Sequence, residues 1–212
     1  MTAEDSAFAV LGMLGDPVRR QLYRHVAAAP GEVGRDAAAE AVGISRSLAA
    51  FHLDKLVEAG LLTVSFRRLS GRSGPGAGRP AKVYGRAEGE HTASVPPRSY
   101  DAVSRLLAEV VENAGLDREL HAAAKAAGAA HPDAVAGDLV EVLRARGYQP
   151  FWDGETLRLN NCPFHALAEE FPALICGMNL ALIEGLATYQ WSPAMEPCPG
   201  GCCVALSKNK SH

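Results

Sequence analysis

The chemistry of this chain gathers at its five cysteines, Cys162, Cys176, Cys198, Cys202 and Cys203. An odd number of thiols within 42 residues fits metal or cluster ligation better than a disulfide framework. Cys162 precedes Pro163 at an expected helix start, and Cys176 lies about one turn after Pro172 at another. The free N–H groups of a helix start favour thiolate, the form that binds metal. Cys198-Pro-Gly-Gly-Cys202-Cys203 is a glycine-rich segment able to bend back and close a site. Three or four thiolates drawn from separate elements meet the demand of an iron–sulfur cluster, 4Fe–4S or 2Fe–2S.

Several alternatives stay open. In extended backbone Cys202 and Cys203 point to opposite faces, so one of them is expected to join Cys162 and Cys176 unless the chain kinks. Cys198, His165, a small molecule or nothing completes the set. Zinc is the competing ion: Cys162 and His165, with Cys176 and one late cysteine, make a Cys₃His set, although no Cys-x-x-Cys knuckle is present. The thiols can also form an oxidant-responsive disulfide, or simply pack. An enzyme with Cys162 as nucleophile and His165 as base is a further class, as is a small-molecule-binding module. Glu169, Glu170 and Glu184 have no second group at defined spacing to support acid catalysis.

A second constellation is electrostatic. The net charge of −3 argues against a nucleic-acid binder, but its distribution argues for one. Up to Glu88 there are twelve Lys and Arg against nine Asp and Glu, and from Gly89 onward nine against fifteen. Leu61 to Ala87 carries six basic residues and no acidic one, a local patch suited to phosphates.

These residues need elements to hold them. With 212 residues and 48% apolar side chains the chain can bury two modest cores, which we divide as 1–90 and 91–212. Phe8 to Ala29 has helical periodicity broken at Gly15, and Asp16-Pro17 supplies a cap and first position for a second helix reaching about Ala28. Arg35 to Val42 is a short helix. Gly43-Ile44-Ser45 then gives a left-handed stop followed by a hydroxyl cap, and Arg46 to Ala59 is a helix stopped by Gly60. That is the bend of a helix-turn-helix. Leu61 to Leu69 and Ala81 to Tyr84 read as strands around a basic tip, Ser70 to Arg79, with four glycines: a wing.

Setting Leu48, His52, Leu53, Leu56 and Gly60 inward puts Arg46, Ser47, Ala50, Phe51 and Asp54 outward at the period of a helix, to enter a major groove. Arg46 would read guanine and Phe51 a thymine methyl, Ser45 and Ser47 would hold phosphates, and Lys55 would add a sequence-blind contact. Arg67, Arg68, Arg72, Arg79 and Lys82 on the wing would grip phosphates or reach the minor groove. His52 is read as a hydrogen-bonded packing residue.

Beyond the Pro96-Pro97 linker, Tyr100 to Ala114 carries Val103, Leu106, Leu107, Val110 and Val111 on one face, suited to a homodimer contact or to its own domain. Leu116 to Ala130 and Ala134 to Arg146 read as helices. Tyr148 to Trp152 and Thr156 to Leu159 form a hairpin through Asp153-Gly154. Helical pattern resumes from Phe164, a helix runs from Pro172 to about Tyr189, and Val204 to Leu206 is a last strand. Trp152 and Trp191 read as core or interface anchors. No segment has the pattern of a leader or membrane span, so a cytoplasmic protein is expected.

Gly43-Ile44-Ser45-Arg46 through His52-Leu53, Leu56 and Ala59-Gly60-Leu61-Leu62 resembles the winged-helix regulators related to the ArsR and DeoR groups. Gly74 to Tyr84, followed by Asn161-Cys162-Pro163-Phe164-His165 and Cys202-Cys203-Val204, resembles actinobacterial iron–sulfur-sensing repressors of the SufR type. The resemblance covers nearly the whole chain. It departs in cysteine spacing, with Cys198 as an addition. It implies a homodimeric repressor on a palindromic duplex operator, whose loss of the cluster would release the C-terminal loop and shift the spacing of the reading helices.

The expected fold is therefore α+β, mainly α: a winged helix-turn-helix followed by a helical and β-hairpin sensor domain.

Overall fold

The computed structural model describes residues 3–67, 80–131, 138–198 and 200–209. The fold is α+β with helix predominating, and the chain divides into two compact units, Met1–Arg98 and Ser99–His212.

In the first unit, α1 (Ala3–Met13), α2 (Pro17–Ala28), β1 (Val33–Gly34), α3 (Arg35–Val42), α4 (Arg46–Glu58), β2 (Leu62–Arg67) and β3 (Ala81–Arg86) follow in order. Helix α1 begins at Ala3, five residues before the Phe8 expected from periodicity. Asp16 accepts from the N–H groups of Val18 and Arg19, both at 2.9 Å, and so starts α2 with Pro17 at its first position. Gly43 stands at φ 70°, a conformation costly to a residue with a Cβ, and the Ile44 N–H closes onto the Ala39 carbonyl at 3.0 Å. Two residues on, Ser45 accepts from the Leu48 N–H at 3.3 Å and opens α4.

Leu22, Val26, Ala38, Ala49, Leu53, Leu56, Leu62 and Tyr84 form the core. The sheet order is β1-β3-β2, antiparallel throughout, with Val33 opposite Tyr84 and Leu62 opposite Arg86. The two-residue strand β1 is absent from the sequence expectations because nothing so short shows a period.

The inward phase of α4 corrects one expectation. Ala49 is fully buried, whereas Leu48 is 41% exposed. Counted from the buried Leu53, Ala49 lies about 40° round the helix and Leu48 about 140°. Geometry places the small residue against neighbouring helices and turns the larger one outward, against its hydrophobicity.

In the second unit, α5 (Tyr100–Asn113), α6 (Asp117–Ala129), α7 (Leu139–Ala145), β4 (Pro150–Asp153), β5 (Thr156–Leu159), α8 (His165–Glu170), α9 (Pro172–Leu186), β6 (Trp191–Met195) and β7 (Val204–Lys208) follow in order. Helix α7 begins at Leu139, where Asp138 caps the Val140 N–H at 3.0 Å; the expected start at Ala134 lies outside the described residues. Helix α9 stops at Leu186, short of Tyr189, because Ala187 turns to extended backbone.

The sheet order is β4-β5-β7-β6, all antiparallel. Strand β6 is unforeseen: Pro193 interrupts its pattern, and it is tolerated because β6 is an edge strand. Leu143, Tyr148, Leu157, Leu159, Ile183, Leu186, Val204 and Leu206 fill the core beneath the sheet. Helices α6 and α9 cross closely at glycines, since a Cβ on Gly185 would stand 2.1 Å from the Lys125 carbonyl oxygen and one on Gly128 2.3 Å from that of Leu182. Trp152 and Trp191 stack with ring centroids 6.0 Å apart, and the Lys208 ammonium lies 5.6 Å from each ring.

Candidate functional site

Two sites emerge, one in each unit. On α4 the outward surface consists of Ser47, Leu48, Phe51 and Lys55, with Ala50 half-buried beside them. Phe51 is 57% exposed, and its ring meets the buried His52 edge-on at 5.3 Å. His52 is a packing residue, but its buried Nδ1 has no hydrogen-bond partner among the described residues, contrary to the hydrogen bond expected of it. Ser45 and Ser47 place their hydroxyl oxygens 3.1 Å apart at the head of the helix.

The cations around this surface are held by the chain's own acids. Arg46 Nε lies 2.7 Å from Asp36, Lys55 Nζ 2.7 Å from Glu58, and Arg67 Nε 2.5 Å from Glu32. The Arg46 and Lys55 pairs are exposed, so they hold little energy and can be exchanged for phosphate or base contacts. Lys82 is different: its ammonium is 3.0 Å from Asp54 Oδ1, and the Tyr84 hydroxyl donates to that same oxygen at 2.8 Å. Asp54, expected to face a groove, instead clamps β3 to α4, and Lys82 belongs to that clamp. Partial burial pushes the Asp54 carboxyl up, but the bonds from Lys82 and Tyr84 outweigh it and hold the group below its ordinary range. Burial, then the bond to Asp54, pushes the Tyr84 hydroxyl up. Arg68, Arg72 and Arg79 lie outside the described residues.

Sequence reasoning missed Leu48 and also Phe66, which is 65% exposed on β2. The alternation of Val64 and Phe66 is the signal that marks the latter.

In the second unit four cysteines meet where α9 passes the start of β7. The Cys202 N–H donates to the Leu159 carbonyl at 2.8 Å, and the Cys203 carbonyl accepts from Glu196 N–H at 2.8 Å, so both residues are pinned between neighbouring strands. Their side chains find different partners. Cys203 Sγ lies 3.4 Å from Cys176 Sγ on α9, while Cys162 and Cys202 act on each other's titration. Cys198 is apart, with its thiol 3.7 Å from the Cys202 carbonyl oxygen. A Cβ on Gly201 would stand 2.6 Å from the Cys198 sulfur, so glycine is needed for this segment to fold so tightly.

The bond from Cys202, aided by the Phe164 N–H, holds Cys162 below the usual thiol range in spite of burial. The same bond, with burial, pushes Cys202 up. Burial and the bond to Cys203 push Cys176 up to about 12.

Beside Cys202 and Cys162 sits Asn179, only 2% exposed. Its Nδ2 is 3.2 Å from Cys202 Sγ and 4.0 Å from Cys162 Sγ, and its Oδ1 accepts from the Tyr148 hydroxyl at 2.5 Å. A thiol sulfur is a weak acceptor, so an amide aimed at two sulfurs favours their anionic form. In sequence Asn179 is visible only as the polar break in an apolar run.

The donor set suits a soft metal or an iron–sulfur cluster in kind. The sulfurs stand as two pairs, and among the described residues no group of three or more His, Cys, Asp or Glu is arranged to hold a metal ion. His165 is not brought to the sulfurs: its Nε2 is 3.3 Å from Glu169, one turn along α8, and the side chain is exposed. That geometry lends nothing to a Cys₃His ion site or to a Cys162–His165 nucleophile and base.

The helix-turn-helix domain family matches residues 14–65, the span from the end of α1 to the middle of β2, and points to a DNA-binding transcription regulator. No curated protein and no solved structure matches the chain. No helix among the described residues is long and apolar enough to cross a membrane.

Proposed function

We propose that this chain is a homodimeric winged-helix repressor that binds a palindromic duplex operator through α4 and the wing, and senses iron–sulfur or redox status at its C-terminal cysteines. The DNA half rests on the helix-turn-helix of residues 14–65 and on the outward side chains of α4. Ser47, Leu48 and Phe51 face the groove, Arg46 exchanges Asp36 for a guanine edge, and Ser45, Lys55 and Arg67 meet phosphates. Asp54 sets the wing at a fixed place beside the reading helix.

The observation that carries the sensing half is the meeting of cysteines beside α9, Cys176 with Cys203 at 3.4 Å and Cys162 and Cys202 both facing the Asn179 amide. Those four would hold the cluster, which supplies a redox- and iron-dependent link between chain segments when bound. Asn179 N–H groups would stabilise the thiolates. The resemblance of Asn161 to His165 and Cys202 to Val204 to cluster-sensing repressors supports the same reading.

Dimerisation is assigned to α5. Ala108 and Val111 bury against Leu174 and Ile175, and Arg105 pairs with Glu170 at 2.7 Å. That leaves Val103, Leu106, Leu107 and Val110 exposed, each by more than half. Tyr100, Val103, Leu107, Val110 and Ala114 recur at alternating intervals of three and four, the seam of paired helices.

Anaerobic purification with iron and sulfide analysis tests the sensing half: brown protein carrying both is expected, while colourless protein with one zinc per chain overturns it. Selection of bound duplexes from a random pool, followed by anisotropy titration, tests the DNA half. Equal affinity for selected and unselected duplexes would end it.

A further inference from the structure

The four clustered thiols are not equivalent. Cys202 is buried and Cys162 partly exposed, and the Asn179 amide points at both sulfurs. Cys176 and Cys203 are partly exposed and touch sulfur to sulfur at 3.4 Å. Each is anchored by its own backbone, Cys176 in α9 and Cys203 by the Glu196 bond at the head of β7. A disulfide needs about 2.05 Å between sulfurs, so rotation of two side chains by a little over an ångström in sum closes this pair without moving either anchor.

We propose that Cys176 and Cys203 are a disulfide-forming site, oxidised by hydrogen peroxide when the chain carries no cluster. One sulfur takes an oxygen from the peroxide as the O–O bond breaks, which gives a sulfenic acid and one water. The second thiol attacks that sulfur; the S–O bond breaks, the S–S bond forms, and a second water leaves with the second thiol's proton. Two thiols are oxidised by one electron each and the peroxide is reduced to two waters. The bond staples α9 to the residue that precedes β7 and removes two of the four ligands. As regulation of the cluster site this rests on the reading above, whereas the bond itself is tested without any metal.

Trypsin cannot map it, because no Lys or Arg lies between Arg158 and Lys208 and all five cysteines stay on one fragment. Cleavage after Glu169, Glu170 and Glu184 separates Cys162, Cys176 and the last three cysteines. The full chain is reduced with chelator present, desalted, treated with hydrogen peroxide, alkylated and digested without reductant. The expected product is one intramolecular link joining the Cys176 fragment to the C-terminal one, with alkyl groups on Cys162, Cys198 and Cys202. A Cys162–Cys202 link, a link through Cys198, or full alkylation after excess peroxide overturns the proposal. Cys176→Ala and Cys203→Ala are each expected to abolish the link, and Cys198→Ala to leave it. Persistence in either of the first two, checked for folding by circular dichroism, overturns it as well.

Iron and sulfide reconstitution of the oxidised chain before and after dithiothreitol separates the two ideas. Uptake only after reduction is expected. A chain that takes up neither in either state sinks the cluster reading while the peptide map still decides the disulfide.

Discussion

The Tyr148 hydroxyl and the Asn179 side-chain oxygen meet at 2.5 Å, inside the core of the second unit. That bond fixes which way the amide points and therefore what the sulfurs see. Asn179→Leu keeps similar volume but strands the Tyr148 hydroxyl, so a loss of about 1–3 kcal/mol is expected in urea unfolding. Adding Tyr148→Phe removes the stranded group, and the double variant should recover part of the loss. Strictly additive losses would show that the two groups do not act as a pair.

Asp54 makes stability depend on acid in a predictable direction. Its folded carboxyl titrates lower than the unfolded one, so the contribution is complete above the ordinary aspartate value of about 4 and fades as pH falls through the folded value. Asp54→Asn should flatten the acid limb of the first unit's stability and loosen the wing. Unfolding curves from neutral pH down to about 2 read this, and identical acid limbs would remove the clamp from the argument.

Leu48 and Phe51 project from α4 without supporting it. Leu48→Ala and Phe51→Ala should each change stability by under about 0.5 kcal/mol while lowering affinity for the selected operator. Arg46→Ala should cost about 1–3 kcal/mol on that operator, and Lys55→Ala should weaken all duplexes and reduce the salt slope. Anisotropy titrations at several salt concentrations separate the two kinds of loss.

Leu107 lies at the centre of the exposed α5 stripe. Leu107→Glu should give a folded monomer by sedimentation velocity, with weakened binding to two-half-site operators. A wild-type chain that sediments as a monomer at micromolar concentration would remove the paired-helix assignment.

Gly185 is held by backbone on the facing helix, so Gly185→Ala should destabilise the second unit by about 1–3 kcal/mol or more. Gly12 has nothing within 4 Å of a built Cβ, and Gly12→Ala in α1 should instead be neutral or slightly stabilising. Thermal melts of the two variants supply the contrast.

What could be read in the sequence follows from what is local. Asp16-Pro17 and Gly43-Ile44-Ser45 act within four residues, so the helix boundaries they set stand where the sequence puts them. Leu48 misleads because a leucine's hydrophobicity says nothing about helix phase; Ala49 and Leu53 settle it only when the neighbouring helices are present. Strand β6 hides behind Pro193, and its ladder with β7 spans a glycine-rich segment. The meaning of Asn179 depends on Tyr148, 31 residues away, and on Cys202, 23 away. Of adjacent Cys202 and Cys203, one is expected to join Cys162 and Cys176; in the structure Cys203 touches Cys176 and Cys202 lies against Asn179, placements set by the strands on either side.

The stacked indoles have a practical consequence. The chain has two tryptophans, and both sit in the second unit's sheet beneath one ammonium group. Emission excited at the indole band therefore observes Ser99–His212 and is blind to the unit that carries α4. Tyrosine emission and circular dichroism see both, so a mismatch between the optical melts would reveal the two halves denaturing separately, with no label attached.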